Sequence, residues 1–194
     1  MTTYTDRQKE IIDVSINIIA EKGIQQLTIK NISKSMKISE PAIYRHFDGK
    51  MEILLAILLN FKEYGHSIST DVTSKKLTTI EQLESVIMNH IRQFTAKPAL
   101  AAVIFSEEIF QNDKRLAEQV RAIMQTNQSM IINIIERGQQ TNEIRNDIPA
   151  KHLSIMVMGA LRLLVTKWRL SQYSFNLQQE GAELWRSLNL LLTA

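Results

Sequence analysis

The sequence predicts an all-α protein of about nine helices, and three observations carry that prediction. Proline and glycine, which interrupt helices, number only three and six in 194 residues. Leu, Met, Gln, Glu and Lys, which lose little freedom in a helix, are plentiful beside many isoleucines. Alternation of strand type is hard to find, whereas apolar residues recur at helical spacing along most of the chain.

The first helix is expected from Asp6 to Lys22. Ile11, Ile12, Val14, Ile16, Ile18 and Ile19 give it a broad apolar face, Thr5 can cap it, and Gly23 suits a left-handed end. Thr28 opens a short helix through Ser35, with Ile29, Ile32 and Met36 on one side. Met36, Lys37 and Ile38 form a tight connection, and Ser39 opens another short helix that ends near His46. Asp48-Gly49 breaks the chain before a long helix from Lys50 to about Ser67. Ser69 to Thr79 reads as a loop, with Thr78 and Glu81 at capping-box spacing. Further helices are expected from Ile80 to Ala96, from Pro98 to Gln111, and from a cap at Asn112 or Asp113 to Gln140. The last two run from Pro149 to Leu170 and from Leu177 to Leu192. Helix, short helix, three-residue turn, short helix and long helix is the layout of a helix-turn-helix module, a layout that any small three-helix bundle also shares.

Composition narrows the function. Hydrophobic residues make up 44% and charged residues 22%, enough for a folded core. The absence of cysteine excludes disulfides, thiolate metal sites and a cysteine nucleophile. Met1 to Glu10 is polar, unlike a signal peptide, and Leu153 to Val165 is too short to span a membrane and contains Arg162. A soluble, cytoplasmic protein is expected. A net charge of +3 permits nucleic-acid binding without arguing for it. Its distribution says more: Lys22, Lys30, Lys34, Lys37, Arg45 and Lys50 outnumber Glu21, Glu40 and Asp48 in one stretch.

Leu27 to Leu58, LTIKNISKSMKISEPAIYRHFDGKMEILLAIL, resembles the TetR family of bacterial one-component transcriptional regulators. The likeness rests on Leu-Thr, a small-residue second helix, a turn ending in Ile-Ser, and Ile-Tyr-x-His-Phe-x-x-Lys before an apolar helix. It is carried by roughly the first sixty residues; beyond them only helical layout and length are similar. The resemblance implies a helix-turn-helix DNA-binding domain over residues 1–49, and an effector-binding and dimerisation domain over 50–194. It also implies a homodimer whose recognition helices, here Ser39 to His46, enter successive major grooves of double-stranded DNA at a palindromic operator.

The residues support that placement. Ile43 and Phe47 lie four apart and can hold the helix down, leaving Glu40, Pro41, Ala42, Tyr44 and Arg45 outward or flanking. Pro41 fits a first turn that needs no N–H. Arg45 can pair bidentately with guanine, Glu40 can accept from cytosine, and Tyr44 suits sugar-phosphate. Thr28, with the free N–H groups of its helix, can bind a phosphate. Lys50 resembles the family's phosphate-contacting lysine, and Lys30 can reach either a base or a phosphate. Tyr44 and His46 could equally shield the small core. Lys37 stands where many members have glycine; if φ is positive there it is strained, and its charge could face a phosphate.

For the larger domain, Leu153 to Val165 is apolar nearly all round, which calls for cover on both sides. The resemblance makes this the eighth helix, pairing with the ninth in a dimer seam, with Gly159, Trp168, Trp185 and Leu188 as candidate seam residues. It also implies an effector pocket among the fourth to eighth helices. Phe61, Met88, Phe105, Met124 and Met158 are its apolar candidates, with Arg162, His90 and Glu107 as possible polar contacts. A small apolar effector is the expected ligand. No cofactor, metal site or enzyme activity is expected. Gly-rich phosphate loops, Gly-x-Ser-x-Gly and His-Glu-x-x-His are absent, and Glu107-Glu108 point about 100° apart. The resemblance implies a ligand-released repressor, and a DNA-binding architectural or cell-division factor on the same fold is the alternative.

Overall fold

A computed structural model of the chain describes residues 4–61, 77–105 and 114–193. Among them every regular element is helical, as expected. They divide into two compact units, one containing residues 4–61, 99–105 and 114–121, the other 77–98 and 122–193.

In the first unit, α1 (Asp6–Lys22) begins at a capping box in which Thr5 and Gln8 exchange side-chain and backbone bonds. Its isoleucines 11, 12, 16, 18 and 19 are buried. Gly23 ends α1 with φ 82° but ψ 165°, so its φ is positive as foreseen while its ψ is extended rather than left-handed helical. This opens the chain into a 3₁₀ turn, Ile24–Gln26, before α2 (Ile29–Met36), capped by Thr28. The third helix, α3 (Glu40–Tyr44), stops short of His46: Arg45 and His46 turn instead, and Phe47 folds back under the helix. A fourth helix, α4, covers residues 50–61, its start held by the Asp48 N–H donating to Glu52. Its expected continuation to Ser67 and the loop beyond lie outside the described residues, apart from Leu77 and Thr78.

The second unit is built around α5 (Thr79–Ala96), α8 (Ala150–Leu170) and α9 (Leu177–Thr193), each packed against the other two. Thr78 and Glu81 form the foreseen capping box. Glu143 reinforces it from the chain after α7 (Lys114–Gln140), accepting from the Thr79 N–H and hydroxyl at 2.8 Å each. Those bonds, with help from Thr141, hold the Glu143 carboxyl below its usual pKa. Arg145 ties the same connection to the end of α9, its N–H donating to Leu192 O at 2.8 Å and its guanidinium reaching Leu191 O. In chain order after α5, α6 spans Pro98–Ile104, most of it in the first unit, and its expected extension to Gln111, with the cap at Asn112 or Asp113, lies outside the described residues.

Candidate nucleic-acid interface

The α2–α3 pair presents a polar surface because its apolar residues are fully used beneath it. Ile32 and Ile43 are 0% exposed and Phe47 is 4% exposed. With those side chains fixed, the helical repeat leaves Glu40, Pro41, Tyr44 and Arg45 on the outside, Tyr44 at 50% exposure. Ala42 and His46 are half-buried. Ser39 occupies the N-cap position but makes no capping bond, so its exposed hydroxyl is not committed to the helix. The His46 carbonyl accepts from Gln8 Nε2 at 3.2 Å, tying the end of the segment to α1.

The connection between α2 and α3 is a Schellman turn. Lys37 sits at φ 56°, ψ 40°, its N–H bonded to Lys34 O at 3.3 Å, and the Ile38 N–H reaches Ser33 O at 3.1 Å. The positive φ is thus real, and a lysine occupies the position where glycine is usual. Its side chain is exposed, as are those of Thr28 and Lys30.

Two anion-attracting groups belong to the same unit as this surface. Thr28 Oγ1 accepts from the Asn31 N–H at 3.1 Å, leaving the first N–H groups of α2 without helical acceptors and the hydroxyl proton free to donate. Lys50, at the start of α4, donates to Ile24 O at 3.3 Å, so its ammonium is anchored on the turn that leads into α2. One of its three N–H donors is used and two remain. Neither this bond nor that between Gln8 and His46 has any local signature, since the partners lie 26 and 38 residues apart.

The remaining candidates separate. Phe61 and Phe105 fall in the first unit, and Met88, Met124, Met158 and Arg162 in the second. Phe61 is buried, and Met88, Phe105 and Met158 are half-buried. Met124 is 51% exposed and Arg162 is exposed, so neither lines an enclosed cavity within the second unit. Glu107 lies outside the described residues.

The seam residues require correction. Trp168, Trp185 and Leu188 are buried in the subunit's own core, Trp168 donating from Nε1 to Phe175 O at 3.0 Å, with Tyr173 edge-on at 4.7 Å. They leave little surface for a partner. Of the four, Gly159 alone is exposed, with open space where a Cβ would stand. Also exposed are Ile155, Met156, Leu163 and Leu170 on α8, and Leu190 and Leu191 on α9. The sequence did carry that signal: Ile155, Gly159 and Leu163 repeat every four residues opposite the buried Leu153, Val157 and Val165. Among the described residues no three His, Asp or Glu side chains are grouped to hold a metal, and no helix is long and apolar enough to cross a membrane.

Comparison with known proteins agrees with this geometry. Residues 11–57 match the family model of bacterial regulatory proteins of the TetR family, and residues 61–192 that of the C-terminal region of YsiA-like proteins. The fatty acid metabolism regulator protein of Bacillus subtilis is 26% identical over 87% of this chain and 86% of its own length. A crystal structure of the regulator FadR from the same organism, in complex with stearoyl-CoA, superposes with a TM-score of 0.80 at 23% identity, over 93% of this chain and 96% of that one. The nucleoid occlusion factor SlmA of Haemophilus influenzae is 21% identical over 97% of this chain and 87% of its own. The chain belongs to the TetR family of bacterial regulatory proteins, DNA-binding transcriptional regulators with an N-terminal helix-turn-helix.

Proposed function

We propose that the chain acts as a homodimeric cytoplasmic repressor, without catalytic activity, that binds a palindromic operator and is released from it by a small apolar effector. Residues 1–49 bind DNA, and residues 50–194 bind the effector and the second subunit. The observation that carries this reading is the seating of α3: Ile43 and Phe47 are buried while Tyr44 and Arg45 stand exposed, and Lys50 is anchored on the turn before α2. Arg45 reads guanine, Glu40 accepts from cytosine, and Ser39, Pro41, Ala42, Tyr44 and His46 complete the contact surface in the groove. Thr28, Lys30, Lys37 and Lys50 hold phosphates and set the register.

The second subunit covers the exposed apolar faces of α8 and α9 around Gly159. Six large apolar side chains there are more than half exposed, which a lone soluble chain does not favour. Stearoyl-CoA, the acyl thioester bound in the Bacillus subtilis FadR structure, supports an effector with a long apolar body. Effector binding favours a state in which the two α3 helices no longer match the 34–36 Å repeat of DNA. A tenfold loss of operator affinity needs about 1.4 kcal/mol of coupling, within the common range for allostery.

Selection of bound sites from a random DNA pool tests the reading. It predicts enrichment of a two-fold symmetric sequence with half-sites about one helical turn apart; a pool without symmetric enrichment would sink it. The similarity to SlmA keeps a second reading, a nucleoid-associated or cell-division factor with no small-molecule effector. Operator binding unmoved by any apolar ligand would favour that alternative.

A further inference from the structure

Helix α5 carries two polar side chains on an otherwise apolar face. Leu83, Val86, Ile87 and Phe94 are buried along it, with His90 and Gln93 one turn apart beside them. Gln93 is only 9% exposed, and its amide oxygen finds no hydrogen-bond partner among the described residues. Native interiors rarely leave such an acceptor without a donor, so this oxygen calls for one beyond the described side chains.

The side of α5 that meets α9 is already filled, since a Cβ on Gly181 would overlap Ile91 Cδ1. Gln93 follows Ile91 by two residues and so lies about 200° round the helix from it, away from that contact. His90 is half-buried, and desolvation pushes its pKa down to about 4, leaving the imidazole uncharged at neutral pH. Lys97, one turn beyond Gln93, is exposed at the helix end. An acceptor oxygen beside a neutral ring suits a donor and not a carboxylate.

We infer that Gln93, with His90 beside it, is a hydrogen-bonding contact for the effector, which presents an uncharged O–H or N–H donor on an apolar body. This rests on the effector reading above and narrows its ligand class.

Decanol, methyl decanoate and decanoate share one chain and differ in the head group, so titration calorimetry with the full-length protein separates them. Decanol is expected to bind the wild type about tenfold or more tightly than either of the others. Gln93→Leu should bring decanol down to the affinity of methyl decanoate and leave the latter unchanged. Without ligand, Gln93→Leu should melt at a higher temperature, because an unpaired buried amide has been removed. Gln93→Met repeats both measurements should the leucine variant fail to fold. Equal binding of decanol and methyl decanoate by the wild type, a preference that survives substitution, or a lowered melting temperature would each overturn the inference. Binding of none of the three would instead overturn the effector reading, and the inference with it.

Discussion

Lys37 allows strain and charge to be separated in one residue. It occupies the left-handed position of the Schellman turn, at φ 56° and ψ 40°. That conformation costs an L-residue about 1–2 kcal/mol, whereas glycine adopts it freely but loses roughly 0.5–1 kcal/mol more entropy on folding. Lys37→Gly should therefore stabilise the protein by about 0.5–1 kcal/mol, a rise of roughly 1–4 °C in melting temperature for a chain of this size. Lys37→Ala keeps the strained backbone and should stay within about 0.5 kcal/mol of wild type. Both variants lose the same charge. If Lys37 faces a phosphate, each should flatten the dependence of log affinity on log salt by about 0.9 per subunit. Thermal unfolding supplies the first comparison and fluorescence anisotropy across a salt series the second. A glycine variant less stable than wild type, or an alanine variant as stabilised as the glycine one, would refute the strain argument. Unequal salt slopes for the two variants would refute its separation from charge.

Three further outcomes are expected. Glu40→Ala should leave binding to unrelated DNA equal or tighter while reducing discrimination at cytosine, read by anisotropy on matched and mutated sites; a clear loss of nonspecific binding would count against this role. Leu163→Glu, on the exposed face of α8, should convert the dimer to a folded monomer in sedimentation experiments, and an unchanged dimer would remove that face from the interface. Glu143→Gln weakens the acceptor of the Thr79 N–H and hydroxyl, and should cost about 0.5–1 kcal/mol at neutral pH. Because the folded pKa of Glu143 lies below its ordinary 4.5, its contribution is complete above that value and fades as pH falls through the folded value. Stability curves of wild type and variant should accordingly converge in acid, and a constant gap would contradict the assignment.

The helices were legible in the sequence because their signals are local. Thr5 and Thr78 each stand three residues before a side chain that completes a capping box, and both boxes form. The spacing of Ile43 and Phe47 foretold which side of α3 is buried. Where three-dimensional packing decides, sequence reasoning failed. Trp168, Trp185 and Leu188 are large and apolar, and such residues serve a subunit core or a seam equally well by type. Only the phase of α8 and α9 relative to α5 sends them inward and leaves Leu163, Leu170, Leu190 and Leu191 outside. The anchoring of Lys50 on Ile24 O, and of the His46 carbonyl on Gln8, was equally out of reach. Periodicity orients a residue about its own helix but does not say which distant carbonyl or amide it meets.

The central claim is that α3 reads bases while Lys50 holds the backbone. It is tested most directly by measuring the affinity of wild type, Arg45→Ala and Lys50→Ala for the selected operator and for scrambled DNA across a salt series. Arg45→Ala should cost about 1–3 kcal/mol at its own base pair and relax discrimination there. Lys50→Ala should weaken both DNAs alike and lower the salt slope by about one per subunit. Equal behaviour of the two variants, or indifference of operator binding to both, would contradict the account.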